Sequence, residues 1–75
     1  MMTMMTTTLD VTAVVKNWIR NEYNDVAKGN RDVKAGIDRC YGVMMFACNA
    51  LFVDYNEDLG NWWDDEMLPK FRALY

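Results

Sequence analysis

The 75-residue sequence contains no histidine, two cysteines and one proline. Without histidine, the chain lacks the commonest general base and the commonest imidazole metal ligand. Its four glycines are scattered along the chain, so neither a P-loop nor a glycine-rich dinucleotide fingerprint can be drawn. These absences predict a protein that is not an enzyme and that needs no cofactor and no metal.

The two cysteines, Cys40 and Cys48, are also poorly spaced for chemistry. Eight positions on one helix give about 12 Å of rise, whereas the α-carbons of a disulfide lie roughly 4.4 to 6.8 Å apart. We therefore expect two buried thiols and no zinc site. The longest apolar run, "CYGVMMFACNALFV", is interrupted by Gly42 and Asn49 and is shorter than the roughly twenty residues of a membrane span. A core helix is the better interpretation.

The length predicts one domain, residues 1–75, close to the size at which a single core only just stabilises a fold. The opening "MMTMMTTT" has neither the basic segment nor the continuous apolar segment of a secretory signal. We interpret residues 1–8 as a frayed start and expect a cytoplasmic protein without a membrane partner.

Charge is distributed unevenly along the chain, whose net charge is -3. Residues 1–39 carry six Lys/Arg and five Asp/Glu, whereas residues 40–75 carry two and six. A low isoelectric point disfavours attraction of the whole chain to nucleic acid or anionic lipid. The expected partner is a protein with a basic surface.

Hydrophobic periodicity predicts a first helix over residues 10–27. Its apolar positions recur at helical spacing: Val11, Val14, Val15, Trp18, Ile19, Tyr23 and Val26. Thr8 or Asp10 can cap its start, and Gly29, between Lys28 and Asn30, is suited to a left-handed C-terminal position.

A second helix is predicted over residues 31–54, with Asn30 as its cap. From Cys40 onward it is apolar on nearly every face, more than two neighbouring helices can cover in so short a chain. A homodimer through this helix is the simplest way to cover the remainder. Close packing is the expected reason for Gly36 and Gly42, because glycine inside a helix costs about 1 kcal/mol relative to alanine.

A third helix is predicted over residues 65–75, because Pro69 is tolerated only near a helix start. The fold class is therefore all-α, a three-helix bundle in which the second helix is central.

The stretch "DYNEDLGNWWDDE", residues 54–66, is the densest cluster of charged and aromatic residues. Asp54, Asn56 and Asp58 have the spacing of the first ligands of a calcium loop. Leu59, however, stands where that loop needs glycine, and Gly60 follows one position too late. We reject a calcium site on this mismatch.

The stretch is either a connector between helices or a recognition surface. Asp64, Asp65 and Glu66 would lie at the positive N-terminal end of the third helix, where negative charge is favourable. Asp54, Glu57 and Asp58 would follow the negative C-terminal end of the second helix, where negative charge is unfavourable. Adjacent tryptophans point in different directions, so one of them should be partly exposed. The recognition hypothesis assigns partner binding to Asp54, Glu57, Asp58, Trp62, Trp63, Asp64, Asp65 and Glu66, with one tryptophan as the anchor.

Two alternatives remain open at this stage. Basic residues cluster around the connection between the first two helices, as in a helix-turn-helix nucleic-acid regulator, although Asp32 and Asp38 lie among them: Lys28, Arg31, Lys34 and Arg39. The other alternative is a purely structural dimeric helical protein.

Three segments, "NWIRNEY", "AGIDRCYGVMMFA" and "DLGNWWDDEMLPKFR", together resemble small helical proteins of phages and prophages. Among these, short acidic inhibitors of host defence nucleases, the anti-CRISPR type, are the most concrete analogue. The resemblance implies a stoichiometric inhibitor that presents carboxylates to the basic groove of a nucleic-acid-handling protein.

Overall fold

The computed structural model describes residues 10–75, which form an all-α fold of three helices with no strand in that range. Helix α1 is Val11–Ala27, helix α2 is Val33–Ala50, and a third helix occupies residues 55–72. The predicted all-α class and number of helices are confirmed. The expected frayed start, residues 1–8, lies outside the described residues.

Helix α1 begins and ends close to where the sequence predicted. The Asp10 carboxylate accepts a hydrogen bond from the Ala13 backbone N–H at 3.1 Å, which satisfies one of the free donors of the first turn. At the other end Gly29 has a φ of +84°, and Asn30 N–H donates to the Asp25 carbonyl at 2.9 Å. This is the glycine-terminated helix end expected from the sequence.

Helix α2 differs from the prediction at both ends. Asp32 caps it by accepting from Ala35 N–H at 3.4 Å, whereas Asn30 belongs to the end of α1. The helix stops at Ala50 rather than at residue 54, because Phe52 adopts a left-handed φ of +61° that no right-handed helix accommodates.

The third helix begins ten residues earlier than predicted, at Tyr55 instead of residue 65. Asp54 caps it: the Asp54 carboxylate accepts from Glu57 N–H at 3.2 Å, and the Asp58 carboxylate accepts from Asp54 N–H at 3.1 Å. Such reciprocal bonds resemble a capping box with a one-residue offset. The polar residues expected to form a connector therefore form the first turns of a helix.

Two π-helical stretches, Tyr55–Gly60 and Trp63–Met67, precede a final α-helical turn, Leu68–Arg72. The second stretch explains how Pro69 is tolerated inside a continuous helix. Proline has no N–H and its ring clashes with the carbonyl four residues earlier, whereas a π-helical turn directs hydrogen bonds five residues back. Leu68 N–H accordingly bonds to the Trp63 carbonyl.

The core lies where all three helices meet. Its fully buried larger side chains are Ile19 from α1, Cys40 and Met44 from α2, and Leu59, Trp63 and Phe71 from the third helix.

Gly36 allows α1 and α2 to approach closely, since a Cβ there would lie 2.5 Å from Val26 Cγ2. Gly42 has nothing within 4 Å of its missing Cβ, so it serves no close packing among residues 10–75. Val14, expected in the apolar stripe, is 51% exposed.

Candidate functional site

We use "acidic segment" for residues 54–66, the stretch singled out by the sequence. Two of its carboxylates, Asp54 and Asp58, bond the backbone at the start of the third helix, and Glu57 lies in the same first turn. All three therefore benefit from the positive end of a helix dipole. The prediction that they sit unfavourably after the C-terminus of α2 is wrong, because the chain turns at Phe52 and starts a new helix immediately afterwards.

The other three carboxylates, Asp64, Asp65 and Glu66, lie in the middle of the third helix rather than at its start. All three are exposed, and no Lys or Arg of residues 10–75 comes within salt-bridge distance of them. Neither a helix end nor an ion pair among these residues accounts for them. They are the part of the acidic segment that remains free for an external cation.

Trp63 is fully buried and belongs to the core. Its ring lies edge-on to Tyr41 at 5.3 Å and tilted against Phe71 at 5.7 Å, measured between ring centroids. Its Nε1–H is the buried side-chain donor for which residues 10–75 supply no acceptor. A buried ring cannot anchor a partner, so Trp63 is removed from the predicted contact residues.

Trp62 is partly buried and packs against α1. The Lys16 ammonium and the Arg20 guanidinium each lie 5.4 Å from the centroid of its ring, within the range of a cation–π contact. The Trp62 ring is therefore already in contact with two cations of its own chain. Trp62 therefore joins the third helix to α1, and its role as an anchor for a partner is weakened.

The basic residues near the α1–α2 connection are largely committed to internal ion pairs. Glu22, buried on α1, accepts a hydrogen bond from Arg31 and forms a salt bridge with Arg39, with 3.2 Å between Arg39 Nε and Glu22 Oε2. Lys34 pairs with Asp38 at 3.1 Å, and this carboxylate raises the pKa of Lys34. Cations neutralised in this way make a poor phosphate-binding face, which counts against the helix-turn-helix alternative.

A second surface stands out in the structure. We use "apolar patch" for the exposed large apolar side chains of the second half of α2 and the turn after it: Tyr41, Met45, Phe46, Leu51 and Phe52. Met45 is 56% exposed, Phe46 62% and Phe52 93%. Scattered single apolar residues are normal on a surface, but five large ones exposed between residues 41 and 52 suggest an interaction site.

Phe52 is unfavourable in two respects in the isolated chain. Its left-handed backbone costs a residue with a side chain roughly 1 to 2 kcal/mol, a cost that Gly29 avoids at the corresponding end of α1. Its ring is also left almost wholly in water. Backbone strain combined with an exposed aromatic ring points to a contact that the single chain does not supply.

Beside the apolar patch lies an open groove of about 290 Å³ lined by Trp18, Arg39, Gly42, Val43 and Phe46. Gly42 exposes the backbone of α2 at this point, with no atom within 4 Å of the position of a Cβ. The Arg39 guanidinium lies 5.4 Å from the centroid of the Trp18 ring at the groove's edge.

The third helix borders the opposite side of the patch. Tyr41 contacts Trp63, and partial burial followed by the Asp64 carboxylate raises the pKa of Tyr55. The Asp64 carboxylate therefore lies close enough to Tyr55 to act on it electrostatically.

Within residues 10–75 the two cysteines are unpaired and the potential metal ligands are not clustered. Cys40 and Cys48 are both free, and burial, reinforced by the Glu22 carboxylate, raises the pKa of Cys40 to about 12. Residues 10–75 contain no cluster of three potential metal ligands. Over the same range no helix combines the length and hydropathy required to cross a bilayer.

Comparison with known proteins finds no matching protein family, no matching curated protein and no matching solved structure. The surfaces described above are therefore the basis for a functional assignment. Sequence reasoning noted that α2 was too apolar to be covered, but it assigned the contact residues to the acidic segment. The residue it did not single out was Phe52, an aromatic residue two positions after the end of α2.

Proposed function

We propose that this chain is a non-enzymatic protein–protein interaction module that forms a homodimer through the apolar patch and presents Asp64, Asp65 and Glu66 to a basic partner protein. The observation that carries the proposal is the apolar patch itself, which includes a strained and almost fully exposed phenylalanine. Burial against a second surface removes this apolar area from water, which is the main driving force of association.

The size of the patch supports association. A large side chain offers roughly 150 to 250 Å², so the exposed fractions of these five residues amount to roughly 600 Å² of apolar surface. Two copies that cover one another would bury roughly 1,200 Å², which reaches the lower end of specific, stable interfaces. A second copy is also the partner that every molecule in solution encounters.

The free carboxylates support a separate contact with a basic protein. Because Asp64, Asp65 and Glu66 are exposed and unpaired within residues 10–75, they can accept charge-assisted hydrogen bonds from Arg or Lys of another protein. In its most specific form, the proposal makes the chain a stoichiometric inhibitor that occupies the basic groove of a nucleic-acid-handling protein. Asp54 and Asp58 bond the backbone at the helix start, whereas Asp64 and Asp65 have no partner within residues 10–75. Asp64 and Asp65 are therefore the residues to test.

Sedimentation tests the dimer. We expect a concentration-dependent mass that rises from monomer to dimer, and we expect Met45→Glu to hold the chain as a monomer by placing a charge in the buried interface. Val14→Glu is the matched control, because Val14 is equally exposed but lies on α1, outside the patch. A monomeric mass at every concentration would refute the dimer.

Charge reversal tests the basic partner. We would capture partners from lysate, purify each one and measure its affinity for the chain and for a variant carrying Asp64→Lys and Asp65→Lys. Loss of two charge-assisted contacts should weaken binding by about 100-fold. The matched control combines Asp25→Lys with Asp38→Lys, which changes the net charge by the same amount on α1 and α2, outside the acidic segment.

An affinity unchanged by the double reversal would remove the acidic residues from the contact. If no partner binds while the dimer persists, the chain is a structural dimeric helical protein. Inhibition of a purified nuclease that is lost only in the Asp64/Asp65 variant would support the inhibitor form.

A further inference from the structure

The apolar patch carries a projecting side chain, and the groove beside it is a depression at a different position along α2. Phe52 projects into solvent just after the helix, whereas Gly42 lines the groove. Ten residues of helix correspond to roughly 15 Å, so Phe52 cannot fill the groove of its own chain. A second molecule can supply the missing ring.

We propose that Phe52 of each copy inserts into the Gly42 groove of a second copy, so that the two α2 helices pack antiparallel. The inference rests on the proposed homodimer and specifies its register. The groove volume of about 290 Å³ is ample for a phenyl ring, because an apolar cavity of about 150 Å³ holds benzene. Gly42 lets the ring lie directly against the helix backbone.

Two-fold symmetry makes this contact self-consistent. In a closed symmetric pair, a contact from residue 52 of one copy to residue 42 of the other is repeated in reverse. The axis then passes near the midpoint of the two positions, close to residue 47, and places the exposed side chains of Met45 and Asn49 opposite one another. Each molecule gives one ring and receives one ring, so both depressions are filled.

Charges near the two features are complementary in this register. Asp54 follows Phe52 by two residues and is exposed, while Arg39 lines the groove. Insertion of the ring therefore brings Asp54, which caps the third helix of one copy, towards Arg39, which pairs with Glu22 in the other. A parallel arrangement would instead bring each ring towards the other ring and leave both grooves open.

Cross-linking in solution distinguishes these arrangements. In a Cys48→Ser background, we would prepare Gly42→Cys and Phe52→Cys chains separately and oxidise each one alone and after mixing, above the dimer's dissociation constant. The antiparallel register predicts a covalent dimer only in the mixture, because disulfide formation needs α-carbons within about 7 Å. Val14→Cys mixed with Gly42→Cys is the control for random collision, because Val14 is exposed on α1, outside the apolar patch.

A second readout uses Phe52→Gly. Glycine relieves the left-handed backbone, so the monomer should unfold at a higher urea concentration than the parent chain. Loss of both rings should at the same time weaken dimerisation by roughly 100-fold or more. Phe52→Asn, which also tolerates a left-handed backbone, should behave in the same way if the ring is what matters.

The outcomes separate the register from the dimer. Cross-linking of either single-cysteine chain with itself, or equal cross-linking in the control mixture, would overturn the antiparallel register while leaving a dimer intact. A dissociation constant unchanged by Phe52→Gly would likewise overturn the inserted ring. A parent chain that is monomeric at every concentration would overturn both the register and the proposed dimer.

Discussion

The acidic segment and the apolar patch are neighbours in sequence, but they differ in how far the chain itself satisfies them. In the acidic segment, Asp54 and Asp58 cap the third helix, and Trp63 is buried in the core. Trp62 makes cation–π contacts with Lys16 and Arg20 of α1. In the apolar patch Tyr41 contacts Trp63, but the last residue, Phe52, is 93% exposed on a strained backbone.

The difference shows that an unusual composition is not by itself a sign of an external ligand. A helix start needs acceptors for its free N–H groups, and acidic residues supply them. An apolar helix surface that the neighbouring helices leave uncovered makes no comparable contact within the chain. The feature that the fold leaves unsatisfied is therefore a better guide to binding than the feature that is conspicuous in the sequence.

The largest expected effect comes from comparing the two adjacent tryptophans. Trp63→Ala should destabilise the fold by about 3 to 5 kcal/mol, because it empties the centre of the core. Trp62→Ala should cost about 1 kcal/mol, since it removes a partly buried ring and its cation–π contacts. Urea unfolding followed by circular dichroism measures both. Equal losses would mean that the two rings share the same structural role.

Two glycines of α2 provide the next comparison. Gly36→Ala should cost about 1 to 3 kcal/mol, because the added methyl group meets Val26 Cγ2 at 2.5 Å. Gly42→Ala should stabilise the monomer by about 0.5 to 1 kcal/mol through helix propensity. It should also weaken dimerisation, since the methyl group occupies the floor of the groove. Thermal unfolding at low and high protein concentration separates these effects, and destabilisation of the monomer by Gly42→Ala would contradict the open space above Gly42.

Unfolding at alkaline pH tests how the buried thiol of Cys40 affects stability. The pKa of Cys40 is about 12 in the folded chain against an ordinary value of 9.0, so the folded state retains its proton where the unfolded state loses it. This contribution is complete below pH 9 and declines as pH rises from 9 towards 12, by about 1.4 kcal/mol per unit. Urea unfolding at pH 7, 9 and 10 should show a steeper decline for the parent chain than for Cys40→Ala. Identical slopes in the parent chain and in Cys40→Ala would remove Cys40 from the alkaline response.

The smallest effect distinguishes the structural carboxylates from the free ones. Asp54→Ala should cost about 1 kcal/mol, because it removes the acceptor for Glu57 N–H. Asp65→Ala should change stability by less than about 0.5 kcal/mol, as is usual at an exposed position without partners. Urea midpoints of the two variants decide the matter, and an equal cost at both positions would mean that Asp65 also has a structural role.

Much of the fold could be predicted from short-range pattern. The apolar periodicity of α1 and the glycine at its end fix both boundaries within a residue or two. The third helix could not be located in the same way. Its start depends on Asp54 and Asp58 bonding the backbone, and Pro69 is accommodated by a π-helical turn whose hydrogen bonds are not encoded by any simple periodicity.

The candidate surface could be predicted only in part. An excess of apolar residues on α2 is visible in the sequence, and it led to the expectation of a second covering surface. Which residues remain uncovered depends on where the third helix packs, because Cys40, Met44 and Ala47 are buried while Met45 and Phe46 are not. These positions have similar hydropathy, and the sequence does not rank them.

The sequence by itself determined an all-α chain, an acidic second half and an α2 with more apolar surface than its neighbours can bury, because these properties follow from composition and helical period. Tertiary structure decided which acidic residues are structural, which tryptophan is buried and where the backbone turns left-handed at Phe52. The Asp54 and Asp58 bonds are local, but they form only because the chain starts a new helix after the turn at Phe52. The burial of Trp63 depends on contacts with Tyr41 of α2, and such contacts exist only after the helices have packed together.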